Sequence, residues 1–308
     1  MQDLEAELRD ALSRAWGDHD LRIDDLRRLS GGATSETWSF DARRAGVTEP
    51  LVLRRTRGQA VDEGALLRAA AAAGVPVPRV VAEVEGGLLL ERLEGETIPR
   101  RILRDEAFAD VRPKLATQCG RILGRLHGIP VDTVPELERS DPLPTWRAML
   151  DGLAQPHPAF ELAFRWLRDN KPPSTARSIV HGDFRNGNLL VGPEGVRAVL
   201  DWELAHVGDP MEDLGWLCVK AWRFGANDRR VGGFGDEADL FAAYEAAGGA
   251  SVDASVVRWW EVLGTLKWGI MCIVQAVTHL SGATRSVELA AIGRRVCENE
   301  WDLLELVT

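Results

Sequence analysis

The alternation of apolar and polar positions divides the chain into a strand-rich first part and a helical remainder. The opening "MQDLEAELRDALSRAW" is charged and periodic, which predicts an amphipathic helix and not a signal peptide. Leu26–Ser30 and Glu36–Phe40 flank the glycines of "SGGATSETW" and predict two strands around a turn. "PLVLRRT" (Pro50–Thr56) predicts a third strand, and "VDEGALLRAAAAAG" an alanine-rich helix closed by Gly74 and then Pro76 and Pro78. "PRVVAEVEGGLLLERL" predicts a hairpin with Gly86-Gly87 at its tip. After "EGETIP" the spacing turns helical, over Leu115–Leu126, Trp146–Leu153 and Phe160–Arg168. Short strands, "SIV", "NLLV" and "VRAVLDW", interrupt this region, and from Pro210 onward the pattern is mostly helical again. A small β-rich lobe over residues 1–93 is thus expected to precede a larger, mainly helical lobe over 94–308, with a hinge near Glu91–Gly95. Ligands favour the cleft between such lobes.

Composition narrows the function classes. The 308 residues suffice for a large core, and the formal net charge of −10 makes the chain a poor electrostatic partner for nucleic acid or anionic membrane. No apolar run in the sequence approaches the roughly 20 residues that span a bilayer. Cys119, Cys218, Cys272 and Cys297 lie far apart with no Cys-x-x-Cys pair, which argues against a disulfide framework or zinc site and suits a reducing cytoplasm.

The stretch "IVHGDFRNGNLLV" sets a His, two Asn and an Asp between aliphatic segments. A plain turn needs only Asn186-Gly187, so Asp183 and Asn188 ask for another explanation. Their spacing reproduces the protein-kinase catalytic loop H-R-D-x-x-x-x-N, in which Asp takes the proton of the attacking hydroxyl and Asn binds magnesium. Asp201, leaving a strand in "AVLDWE", stands where a second metal-binding acid would complete the set. Magnesium takes oxygen ligands, usually one or two carboxylates plus phosphate, and Asn adds an oxygen without another negative charge. As turn formers Asp183 and Asn188 would each be unremarked; together with His181, Gly182 and Asp201 they point to catalysis. His181 reads as structural, and Asp213 as bonding backbone near the loop.

"HGDFRNGN", "LDWE" and "GDPMEDLGW" together resemble the aminoglycoside phosphotransferase family, which is similar to protein kinases in fold. "LSGGATSETW" resembles its nucleotide-covering loop, "LLLERLEGE" its hinge and "LGRLHGIP" the helix end before the catalytic region. "WRFG" and "GRRVCENEWDLLEL" look closest to the kinase domains fused to acyl-CoA dehydrogenases. The resemblance implies an α+β, protein-kinase-like two-lobed fold and an ATP- and Mg2+-dependent kinase, with GTP left open as donor. It implies Asp183 as base, Asn188 and Asp201 as metal ligands, and Glu203 as a contact to a second magnesium. It further implies that Ser35 caps the phosphates and that the backbone of Glu91 and Leu93 meets adenine. Glu63 would pair with the basic residue of the third strand. That residue is Arg54 in "VLRR", where a kinase has Lys, and the planar guanidinium is not equivalent to a point charge.

Acceptor preference is open between two kinds of alcohol. "KAWRFGANDRR" carries Lys220, Arg223, Arg229 and Arg230 against Asp228 alone, which predicts an anionic or neutral acceptor contacted by Trp222 and Arg223, such as a hydroxyacyl-CoA or hydroxy acid. An aminoglycoside- or choline-type kinase acting on a cation is the alternative, and a non-catalytic pseudokinase is another, favoured by Arg54 alone. The bland reading of the basic segment is that its cations pair with neighbouring acids.

Overall fold

The structure is a computed structural model and describes residues 2–29, 35–56, 62–139, 141–173 and 176–308. A five-stranded antiparallel sheet forms the first lobe, from β1 (Leu21–Arg28), β2 (Ser35–Arg44), β3 (Val47–Thr56), β4 (Val80–Val84) and β5 (Gly87–Glu91) in the order β1-β2-β3-β5-β4. Side chains alternate along a strand, and β3 uses both faces. Leu51 and Leu53 are buried on one face, in a core shared with Leu8 and Leu12 of α1 (Gln2–Trp16). Val52 and Arg54 line a cleft on the other. The helix α2 (Glu63–Ala72) begins at Asp62, whose carboxylate accepts from Ala65 N at 2.9 Å, and buries Leu66, Leu67 and Ala70. These residues join the core of the second lobe, so α2 links the two.

The second lobe is helical apart from two short antiparallel pairs. Its helices are α3 (Pro99–Arg104), α4 (Leu115–His127), α5 (Pro142–Leu153), α6 (Pro158–Asp169), α7 (Met211–Cys218), α8 (Glu237–Ala246), α9 (Ala254–Leu280), α10 (Val287–Gly293) and α11 (Val296–Val307). The strands β6 (Ser178–Val180) and β9 (His206–Gly208) pair, as do β7 (Leu189–Gly192) and β8 (Gly195–Val199). The segment leaving β5 is tied to this lobe by reciprocal backbone bonds of 2.9 Å between Glu96 and Val191. Val199 N donates to Pro76 O at 2.8 Å, a second link between lobes. The α+β, two-lobed architecture is the one the sequence predicts.

Three local differences have physical causes. β1 starts at Leu21 and not Leu26, because Leu21 and Ile23 point inward while Arg22 between them faces out. β9 was not predicted; three residues carry too little periodicity. Contrary to the sequence expectation about apolar runs, α9 is long and apolar enough to cross a membrane by length and composition. More than half of that stretch is buried inside the fold, which is what a central core helix requires. The four cysteines are unpaired; Cys119, Cys218 and Cys272 are buried and Cys297 is exposed.

Candidate active site

The loop between β6 and β7 is built on Asp213. This carboxylate, on α7, accepts from His181 N at 2.8 Å and from Gly182 N at 3.0 Å, and its Oδ2 lies 3.1 Å from His127 Nε2. Burial pushes its carboxyl up, but the His127 bond, the nearby His181 and the backbone donor outweigh that and hold it below its ordinary range. Gly182 sits at φ +77°, and a Cβ there would lie 2.4 Å from Leu204 O, so only glycine fits. His181 is fully buried. Its Nδ1 accepts from Asp183 N at 3.1 Å, which leaves Nε2 to carry the proton and donate to Leu200 O at 3.1 Å. Burial lowers the His181 pKa against the pull of Asp213 and Asp183, so the ring is a neutral strut between the loop and the end of β8.

Asp183 emerges from this frame with its carboxylate held from three sides. Oδ1 accepts from Trp216 Nε1 at 2.8 Å and from Arg185 Nε at 3.0 Å, and Oδ2 accepts from Asn188 Nδ2 at 2.6 Å. The side chain is 15% exposed, so it is reachable from solvent but fixed in direction. The Arg185 guanidinium lies 4.6 Å above the ring of Trp222, a cation–π contact that fixes it in turn. Lys267 of α9 donates to Gly182 O at 3.0 Å and stands 4.5 Å from the Trp216 ring.

On the other side of the loop lies a cleft of about 440 Å³ between the lobes. Arg54, Glu63, Glu91, Leu93, Asn188 and Asp201 line it together with apolar Val52, Leu67, Leu90 and Leu190. Arg54 donates from Nη1 to Glu63 Oε1 and from Nη2 to Asp201 Oδ1 at 2.7 Å. Burial raises the Glu63 pKa, Arg54 opposes the rise, and the charges of Asp201 and Glu203 add to it. Arg54 thus pairs with two carboxylates, and among the described residues no three acidic or metal-ligating side chains converge into a ready-made metal site. Asn188 makes both of its side-chain bonds through Nδ2, to Asp183 O and Oδ2, so Oδ1 is the acceptor end of the amide that those bonds do not use. Asp201 adopts φ +66°, an uncommon conformation for a non-glycine residue that marks a position held by its surroundings. Oxygen donors of this kind fit magnesium; Asn188 and Asp201 would hold it, and Glu203 is near enough for its charge to act on Glu63.

The sequence-predicted residues therefore separate. The structure brings Asp183, Asn188, Asp201, Glu63, Arg54, Glu91 and Leu93 to one cleft and loop. Glu91 N is already bonded to Arg79 O at 3.0 Å, so any adenine contact at Glu91 falls to its carbonyl. The glycine turn at Gly31-Gly32 lies outside the described residues; Ser35 opens β2, and its side chain lies outside them too. Trp222 and Arg223 do not face an acceptor. Trp222 is buried between Trp216 and Trp268, with ring centroids 5.2 and 4.8 Å away. Arg223 is turned inward, where Nη2 donates to Cys218 O at 2.6 Å and Glu261 Oε1 at 2.9 Å. The remaining cations of that segment are also matched: Lys220 with Asp302 and Glu305, Arg229 with Asp236, and Arg230 with Glu237 and Glu261. Sequence reading missed Trp216, Arg185 and Lys267. Arg185 was legible as the cation two places after Asp183, whereas the other two come from helices remote in sequence.

A second cavity, about 780 Å³, opens on the far side of the catalytic loop and is lined by Ile98, Pro99, Ala221 and Phe224 with several charged residues. Pro99 packs against Gly187 of the loop, and Ala221 flanks Trp222 beneath Arg185. The first cleft thus reaches the loop at Gly187 and Asn188, and the second adjoins the same loop through Pro99.

The chain is similar to known proteins in both sequence and fold. It is 31% identical over 171 residues to acyl-CoA dehydrogenase family member 10 of Mus musculus, a match covering 50% of this chain and 16% of that relative's length. A Ralstonia eutropha protein assigned as an aminoglycoside phosphotransferase superposes with a TM-score of 0.76 at 21% identity, covering 100% of this chain and 98% of that one. A spectinomycin phosphotransferase solved with ADP and spectinomycin superposes at 0.70 with 14% identity, each chain covered to 98%. At such identities these structures speak for the fold. The sequence profile of the phosphotransferase enzyme family matches residues 25–254, which take in most of the sheet, the cleft and the whole loop between β6 and β7, and the chain belongs to that family.

Proposed function

We propose that this chain transfers the γ-phosphoryl group of ATP, with Mg2+, to the hydroxyl of a small molecule, and that Asp183 is the base. The observation that carries the reading is the three-sided clamp on the Asp183 carboxylate by Trp216, Arg185 and Asn188, on the loop whose Asn188 lines the cleft. Phosphoryl transfer asks the protein mainly for positioning and charge stabilisation. A hydroxyl in the second cavity would hydrogen-bond to Asp183, which fixes its lone pair toward the γ-phosphorus. As the new O–P bond forms, the β,γ-bridging bond breaks to ADP and the hydroxyl proton passes to Asp183, then to solvent. Arg185, already against Asp183, balances the negative charge of that carboxylate and of the arriving phosphoryl oxygens. Bound magnesium supplies neutralisation of the phosphate charge, with Asn188, Asp201 and Glu203 as the residues toward it. Apolar Val52, Leu67 and Leu90 suit an adenine ring, and Glu91 and Leu93 edge it.

For the acceptor we favour an anionic or neutral alcohol, of the hydroxyacyl-CoA or hydroxy-acid kind, over a polycationic aminoglycoside or a choline-type cation. The similarity to acyl-CoA dehydrogenase family members supports this reading. The unpaired cysteines suit a reducing, cytoplasmic setting. The test is magnesium-dependent consumption of ATP across a panel of hydroxyacyl-CoA compounds, hydroxy acids, choline and kanamycin-like sugars. Turnover of the anions with product phosphorylated on oxygen is expected. Efficient turnover of the cations alone would reverse the acceptor assignment, and nucleotide binding without any transfer would leave a pseudokinase.

A further inference from the structure

The second cavity carries its charge on α3. Its lining includes Arg100, Arg104, Lys220 and Arg295 against Glu298 and Asp302. Lys220 donates to Asp302 Oδ1 at 2.7 Å, and Arg295 lies 3.1 Å from Glu298. Those two pairs cancel. Arg100 and Arg104 are both exposed, and among the described residues neither forms an ion pair or a side-chain hydrogen bond. Arg101, between them, does pair, with Glu96 at 3.1 Å. Residues four apart share a helix face about 6 Å from each other, and like charges so placed disfavour a helix standing alone. Two guanidiniums on one face of a single six-residue helix, turned to a cavity beside the catalytic loop in a chain of net charge −10, call for an anion.

We propose that Arg100 and Arg104 form an anion subsite of the acceptor cavity and hold a phosphate-type group carried on the acceptor away from its hydroxyl. This rests on the reading of Asp183 as the base and names what lies across from it. Guanidinium forks match phosphate oxygens in bidentate pairs, and two of them can share one dianion. Ile98, Pro99, Ala221 and Phe224 supply an apolar wall, so the acceptor combines an apolar stretch with an anionic end. The subsite also explains discrimination: a polycation would meet two uncompensated guanidiniums here.

The experiment separates the subsite from the chemistry. The protein, loaded with magnesium and the non-hydrolysable analogue AMP-PNP, is titrated by calorimetry with coenzyme A and with pantetheine, which lacks the nucleotide phosphates. Coenzyme A should bind roughly tenfold or more tightly than pantetheine, the scale of one or more charge-assisted contacts. Replacing Arg100→Gln and Arg104→Gln together should bring coenzyme A down to the level of pantetheine while leaving AMP-PNP affinity unchanged. Added salt should weaken the coenzyme A interaction selectively. Equal binding of the two compounds, no binding of coenzyme A, or unaltered coenzyme A affinity in the double variant would each overturn the proposal. Because both arginines are exposed, the variant's fold is not at risk, and retained AMP-PNP affinity checks it. A protein that binds coenzyme A through these arginines yet transfers no phosphoryl group keeps the subsite and loses the kinase reading.

Discussion

Arg54 Nη2 meets Asp201 Oδ1 at 2.7 Å, although the two residues lie 147 positions apart and belong to different lobes. The same guanidinium holds Glu63, so one side chain bridges β3, α2 and the end of β8. A lysine could not make both contacts with one planar fork. In the proposed reading Asp201 turns to the magnesium of the bound nucleotide, and Arg54 Nη2 passes from that carboxylate to a phosphate oxygen. Arg54→Ala should therefore raise the KM for the nucleotide about tenfold, near the value of a lost charge-assisted bond, and leave the KM for the alcohol little changed. Steady-state kinetics with each substrate varied decides it; a change confined to the alcohol would place Arg54 on the acceptor side.

Asp201→Ala is predicted to act differently from any change at the base. It removes a carboxylate from the predicted magnesium set and also frees Arg54 from its clasp. Calorimetry should show weaker magnesium–ATP binding as well as lost turnover. If the variant binds magnesium–ATP as tightly as the parent chain does, Asp201 is not a ligand.

Asp183→Asn preserves size and two of the three clamping directions but cannot take a proton. Turnover should fall on the order of a hundredfold or more, the usual worth of a positioned general base, with nucleotide affinity nearly intact. Retention of near-normal turnover would remove Asp183 from the base role.

Sequence made the loop legible because its residue types are costly to explain otherwise: Asp183, Asn188 and Asp201 recur at a spacing that a turn does not need. The sheet was legible through alternation in "PLVLRR", and the partnership of Arg54 with Glu63 through their places on β3 and α2. The "KAWRFGANDRR" segment misled because local charge says nothing of partners far along the chain. Glu261, which receives both Arg223 and Arg230, comes from α9. Trp216 was invisible for the same reason: a tryptophan in a helix reads as core, and only the fold brings its indole N–H to Asp183, 33 residues upstream.

His181 gives the fold a pH dependence whose sign can be worked out. Its folded pKa is depressed by burial below the ordinary 6.5, so in that interval the unfolded chain binds more protons than the folded one. Stability from this group is present above pH 6.5 and declines as pH falls through the interval toward its folded pKa. His206 works in the opposite sense: burial lowers its pKa, but the bond to Glu212 outweighs that and raises it, so its contribution is full below 6.5 and fades as pH rises through the folded value. Urea unfolding of the parent chain and of His181→Asn at a series of pH values separates them. The variant should be less stable near neutrality and should lose less stability on acidification from pH 6.5. A parallel pair of curves would show that His181 titrates alike in the folded and unfolded chain.

Trp216→Phe isolates the clamp on Asp183. The phenyl ring retains most of the apolar packing against Trp222 and the cation–π contact with Lys267, but it removes the 2.8 Å donation to Asp183 Oδ1. Arg185 and Asn188 would still hold the carboxylate, so it stays in place while its direction loosens. Losing one neutral-donor bond to a charged acceptor is worth about 1.5–3 kcal/mol, which corresponds to a kcat reduced roughly 10- to 100-fold if the bond matters fully in the transition state. The KM for ATP should not move, because Trp216 does not line the nucleotide cleft. Calorimetry should likewise show AMP-PNP bound as tightly by the variant as by the parent chain. A kcat loss that brings weaker nucleotide binding with it would mean that Trp216 only packs the loop, whereas a loss in kcat alone identifies the indole N–H as what directs the Asp183 carboxylate.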